Sequence, residues 1–140
     1  MTQRTVSHRA SYDVPAEILW GVVSDHEGMS RWVPAEVEVM RGDGGVGTVR
    51  RVRTFGLDLE ERVLWFDPPR RMLYRLTGGL PLRYHQGELR VRPLDAGVSE
   101  LCWDITVSSG VPGLAVALCA ILGPLMRRSL GDLRGVLQEG

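Results

Sequence analysis

Apolar and polar residues alternate from the start of the chain: Val6, His8, Ala10 and Tyr12 fall on one face, and Ser7, Arg9, Ser11 and Asp13 on the other. That period of two predicts a half-buried strand. The period changes at Pro15, which suits the first turn of a helix, and Glu17 suits its positive end. Ile18/Val22 and Leu19/Val23 form i,i+4 apolar pairs that carry the helix to about Asp25. Gly28 and Pro34 limit a second short helical piece bearing Met29 and Trp32. Alternation then returns. "AEVEVM", "TVRRVRTF", "LDLEERVLWF", "RMLYRL", "LRYHQGELRVRPL" and "SELCWDITV" are separated by the turn clusters "RGDGGVG", Gly56, "DPPR", "TGGLP" and "DAG". From Pro112 onward Leu114, Leu118, Ile121, Leu122, Leu125, Met126, Leu130, Leu133 and Leu137 recur at helical spacing.

One strand, two short helices, six further strands and a long terminal helix make an α+β domain spanning residues 1–140. Strands that alternate apolar with polar belong to an antiparallel sheet with one solvated face. The other face must be covered, and the last helix is the only large apolar element able to do so. Within that helix Gly123-Pro124 removes a backbone hydrogen bond and predicts a kink.

Composition narrows the function classes. Arginine supplies every one of the 17 basic side chains, matched by 17 acidic ones, so no net field favours nucleic acid or an anionic membrane. Without lysine there is no side-chain Schiff base. Cys102 and Cys119 form no disulfide framework, and a reduced, cytoplasmic setting is expected. The uncharged stretch Ile105–Met126 approaches the ~20 residues of a membrane span. Its glycine and proline interruptions argue instead for a buried helix. The histidines fall in different elements without zinc-type spacing, and "GDGGVG" lacks a phosphate-loop lysine. No metal or cofactor is expected.

The segments "VPAEILWGVVSD", "SRWVP", "VGTVRRVRT", "EERVLWFDPPRRMLYRL", "GELRVRPLDAG" and "LCWDITV", ending in "ILGPLMRRSLGDLRGVL", resemble the START-related helix-grip superfamily (SRPBCC). The closest likeness is to its polyketide cyclase/dehydrase-like branch. The resemblance implies a curved seven-stranded antiparallel sheet wrapped around a long C-terminal helix, with a ligand cavity between them. It also implies a scaffold used both for aromatic polyketide cyclases and for lipid or hormone carriers. A monomer or homodimer is expected.

Parity picks out polar residues that face inward. His8 is in phase with Val6, Ala10 and Tyr12; His85 with Gly87, Leu89 and Val91; Tyr74 with Met72 and Leu76; Glu61 with Leu57, Leu59, Val63 and Trp65. In an apolar cavity such groups can titrate near neutrality, as general acid–base chemistry requires. His85 or His8 would act as base or acid, Glu61 as partner and Tyr74 as donor to an oxyanion; the alternative is that each only lines the core. Glu61 would meet Arg51 if the hairpin at Gly56 has an odd loop, and Arg50 if it is even. Cyclases of the family often hold a carbonyl or enolate with an arginine. Arg51 or Arg53 could serve, and "TVRRVRT" does not show which of Arg50, Arg51 and Arg53 points inward. Ligand contacts are expected from Tyr12, Trp32, Phe55, Val63, Trp103, Leu118, Leu122 and Met126. Asp25-His26-Glu27, pointing ~100° apart on a helix, reads as solvated turn chemistry.

Two functions remain: binding of a small hydrophobic or aromatic molecule, and aldol cyclisation with dehydration of a polyketide.

Overall fold

The computed structural model describes residues 2–139. In chain order it contains β1 (Thr2–Tyr12), α1 (Ala16–Val23), a 3-10 helix (Glu27–Arg31), β2 (Glu36–Arg41) and β3 (Val49–Thr54). Then come β4 (Leu57–Asp67), β5 (Arg71–Gly78), β6 (Tyr84–Asp95), β7 (Val98–Ser109) and α2 (Leu114–Glu139). The expected succession of one strand, two short helices, six strands and a long helix is present. Pro15 caps α1, accepting hydrogen bonds from the amides of Ile18 and Leu19.

All seven strands join one antiparallel sheet in the order β1-β7-β6-β5-β4-β3-β2. Consecutive strands from β2 to β7 are hairpin neighbours, as short turns dictate. The one non-local pairing joins the first strand to the last, in unbroken register from Thr2↔Ser109 to Tyr12↔Ser99. That pairing places β2 and β1 at opposite edges, with α2 lying across the sheet.

The helix does not cover the sheet evenly. It packs chiefly on β1 and β7 and touches the 3-10 helix. Gly123 faces Val6 and His8 of β1 across the helix–sheet interface. Met126, Leu130, Leu133 and Leu137 are buried on this side with Leu101, Ile105 and Val107. By length and composition α2 could cross a bilayer; in this fold its buried face packs into the core against β1 and β7. The helix runs continuously through Pro124, which lies on its exposed face. Because α2 sits over the β1–β7 side, the face of β3–β5 is left partly uncovered.

A bulge in β4 redirects one predicted position. Val63 pairs with Tyr74 but Trp65 pairs with Leu73, so Leu64 is an extra residue. Parity therefore slips, and Trp65 faces out beside Arg71 while Phe66 turns in against Trp20. The inward stripe Leu59–Glu61–Val63 consequently ends before Trp65.

Candidate functional site: a cavity with a buried polar floor

The uncovered area is a cavity of about 210 Å³ between α2 and the sheet. An apolar cavity of about 150 Å³ accommodates benzene, so this one has room for a small aromatic molecule. Its walls are aliphatic. Val52, Leu59, Ile105, Leu118, Leu122 and Met126 are among them, and Phe55, Leu57 and Ile121 are exposed at the mouth. At the buried end Arg50, Glu61, Tyr74, His85 and Trp103 converge.

Hairpin geometry decides which arginine enters. The β3–β4 connection is a two-residue turn, Phe55-Gly56, with both residues at positive φ, 49° and 76°, the backbone of a type I′ hairpin. An even loop sets Arg50 opposite Glu61 and Val52 opposite Leu59. Arg50, Val52 and Thr54 therefore point into the cavity. Arg51 instead pairs with Asp58 on the outer face, and Arg53 is exposed in the same phase. Of the three arginines left open by the sequence, the cavity takes Arg50, so Arg51 and Arg53 are not positioned to hold a ligand.

Arg50 is almost fully enclosed, with 1% of its surface exposed. A bare cation there would be prohibitively costly, and four groups offset its desolvation. Its Nε and Nη2 both contact Glu61 Oε1, at 3.0 and 2.9 Å. Its Nη1 donates to His26 Nδ1 at 3.0 Å and approaches Met29 Sδ at 3.1 Å. Its Cζ lies 4.5 Å from the centre of the Tyr74 ring, in cation–π range. Since His26 Nδ1 accepts from a guanidinium, its Nε2 carries the proton and donates to the Gly44 carbonyl at 2.8 Å.

His26 is thus buried, which corrects the expectation that Asp25-His26-Glu27 is solvated throughout. The flanking residues do serve the turn: Asp25 accepts from the Gly28 amide and Glu27 from the Val39 amide. The imidazole, however, bridges the glycine-rich β2–β3 loop to the cavity floor. Burial, aided by Arg50, holds its pKa below the ordinary histidine value, against the opposing pull of the Gly44 hydrogen bond.

Tyr74 stands across Gly87, its β5–β6 register partner. A side chain on Gly87 would overlap the phenol ring, so the missing Cβ makes room for the tyrosine rather than for His85. The Tyr74 hydroxyl accepts from Trp103 Nε1 at 3.1 Å, leaving its own proton free. Burial raises its pKa, so it is a phenol and not a phenolate at neutral pH. His85 lies with its ring centre 6.5 Å from that of Tyr74. Burial lowers its pKa, with Glu61 opposing the shift, and its Nδ1 is buried without a hydrogen-bond partner. Glu61, Tyr74 and His85 therefore share one end of the cavity.

His8 does not join them. It sits on β1 beside Gly123 of α2, outside the cavity lining, because the helix itself occupies that part of the sheet. Of the expected ligand contacts, Trp103, Leu118, Leu122 and Met126 line the walls and Phe55 the mouth. Tyr12, Trp32 and Val63 do not. Tyr12 donates to the Leu130 carbonyl at 2.7 Å and so ties β1 to α2. Trp32 is buried behind Trp103, its ring centre 5.5 Å away and the planes inclined at 66°. Val63 lies in the packed core. The sequence reading left Arg50 open as the inward arginine and missed His26 and Met29. The two-residue spacing of Phe55-Gly56 was a usable signal for Arg50; His26 had none, since its partners come from distant segments. Among the described residues no three His, Cys, Asp or Glu side chains gather as a metal site.

Comparison with solved structures places this architecture. The START superfamily protein of Mycobacterium smegmatis superposes with a TM-score of 0.81 at 19% identity, over 96% of this chain and 97% of that one. Ara h 8.0201 gives 0.78 at 19%, over 99% and 100%. The Zhui aromatase/cyclase from Streptomyces sp. R1128 gives 0.75 at 24%, over 99% and 93%. At these identities the likeness is one of fold. A search of curated protein sequences returned no significant match. A family profile described as polyketide cyclase/dehydrase and lipid transport aligns with residues 3–138, nearly the whole chain, and the protein accordingly belongs to that family.

Proposed function

We propose that this protein binds one small hydrophobic or aromatic molecule, lipid-like or polyketide-like, between the sheet and α2. The observation that carries the reading is the contrast within the cavity. Its walls are aliphatic, while its buried end holds a paired charge, a phenol and a histidine nitrogen without a partner. Ligand sites have this make-up, a mostly apolar surface with a few placed polar groups. Membership of a family that includes lipid transport supports the same reading. Mass spectrometry of small molecules extracted from the purified protein, followed by titration with that molecule, tests it. Binding that vanishes when Leu122→Trp fills the cavity is expected. Failure to extract or bind any apolar molecule would sink the proposal.

A second reading, polyketide cyclisation, is favoured by one arrangement. His85 is held neutral with an open Nδ1, beside a protonated Tyr74 and the Glu61 carboxylate. These are a base and a proton donor at one site, the requirement for aldol condensation and loss of water. The aromatase/cyclase named above shares the fold. If this reading holds, His85→Ala and Glu61→Gln each slow turnover of a linear poly-β-keto substrate at least about tenfold, a lost acid–base group typically costing about 10²–10⁴-fold. Unchanged product yield from both variants would leave only the binding function.

A further inference from the structure

We propose that the cavity selects a ligand whose buried end is an uncharged oxygen group, a hydroxyl or ketone, and discriminates against carboxylate, sulfate and phosphate. The inference rests on the binding reading above and adds the charge of the ligand's inner end. Among the described residues, the charged side chains lining the cavity are Arg50 and Glu61 alone, and they cancel each other at 2.9 Å. Arg50 has little left to offer an anion. Its Nε and Nη2 are on Glu61 Oε1, and its Nη1 is on His26 and Met29. His26, behind it, accepts from the guanidinium and so brings no second positive charge.

An anionic head group at this floor would lose its hydration and find no free cation. It would also stand beside the Glu61 carboxylate, and like charges in a poorly solvated site repel strongly. An uncharged oxygen meets the groups that remain open. The Tyr74 hydroxyl, already accepting from Trp103, has a proton to donate. The Nδ1 atom of His85 is buried and unpartnered. The hydrogen bonds of Glu61 engage Oε1, leaving Oε2 able to accept. A hydroxyl can accept from Tyr74 and donate to Glu61 or His85; a ketone can accept from Tyr74. Because the polar groups are at the enclosed end and Phe55, Leu57 and Ile121 are exposed at the mouth, the oxygen points inward and the hydrocarbon outward.

The test is calorimetric titration of the full chain at pH 7.5 with a matched pair of similar size and shape, 2-naphthol, which is uncharged, and 2-naphthoate. The naphthol is expected to bind at least tenfold more tightly. The naphthoate, entering as its neutral acid, should take up one proton on binding, measured in two buffers of different ionisation heat. Its affinity should rise about tenfold per unit fall in pH, as proton linkage requires. In Glu61→Gln, which frees Arg50, the naphthoate should gain on the naphthol. Should that variant fail to fold, the wild-type proton uptake still decides. Naphthoate binding as tight as naphthol without proton uptake overturns the charge selection while leaving the cavity a binding site. No binding of either probe overturns the binding reading and this inference together.

Discussion

Replacing Gly87 with alanine probes the contact on which the polar floor depends. The added Cβ would overlap the Tyr74 side chain, and even the third-nearest atom, Cε1, would lie 2.5 Å away, against an ordinary carbon–carbon contact of about 3.5–4.0 Å. Backbone separation across the β5–β6 ladder is fixed by hydrogen bonds, so the tyrosine must move by more than about 1 Å. It is 3% exposed, and overpacking of this kind costs about 1–3 kcal/mol. Displacing its hydroxyl also strands Trp103 Nε1, adding about 1–3 kcal/mol for a buried unsatisfied donor. The expected loss is about 2–6 kcal/mol. At an m-value near 2 kcal/mol/M the urea midpoint falls by roughly 1–3 M, followed by tryptophan fluorescence. In a Tyr74→Ala background the same substitution should cost under about 1 kcal/mol, because the clashing ring is gone. The two residues then show a coupling above about 1 kcal/mol, within the range for touching residues. A Gly87→Ala protein within about 0.5 kcal/mol of wild type, or equal costs in both backgrounds, would refute the geometry.

Arg50→Met leaves Glu61 buried without its cation and should destabilise by about 3–5 kcal/mol, whereas Arg50→Met/Glu61→Leu should recover most of that loss; chemical denaturation of the three variants checks the order. His26 and His85 both have pKa values pushed below the ordinary 6.5. The unfolded chain therefore binds more protons just below that pH, and the contribution of these two rings to stability, full above about pH 7.5, should fall as pH drops through 6.5 and lower. Urea midpoints measured from pH 8 to 5 report it, and His26→Gln should flatten the slope; a slope of opposite sign would contradict the burial of both rings. Phe55 holds a positive φ that suits asparagine or glycine and is 71% exposed. Phe55→Asn should therefore stabilise by about 0.5–1 kcal/mol, while weakening binding of an apolar ligand at the mouth.

Much of the fold was legible because it rests on short-range pattern. Alternation located all seven strands, the glycine and proline clusters located the turns, and the helical run after Pro112 located α2. Phase also sent Glu61, Tyr74 and His85 to the same surface, since each strand carries its side chains in strict alternation until a bulge intervenes. One extra residue at Leu64 was enough to turn Trp65 outward, and bulges leave little trace in composition. His8 has sound inward phase, but inward on β1 means beneath the helix, and phase does not say what covers a face.

The order of apolar and polar residues by itself determined the elements, their faces and their family likeness, because backbone geometry fixes those periods locally. Only the tertiary structure decided where α2 would rest. By packing on β1 and β7 it left the cavity over β3–β5. Only that arrangement brought His26, Arg50, Glu61 and Tyr74 into contact across 48 positions of sequence. Desolvation then forces such groups to satisfy one another, and their partners follow from distance in space, which alternation along one strand does not encode.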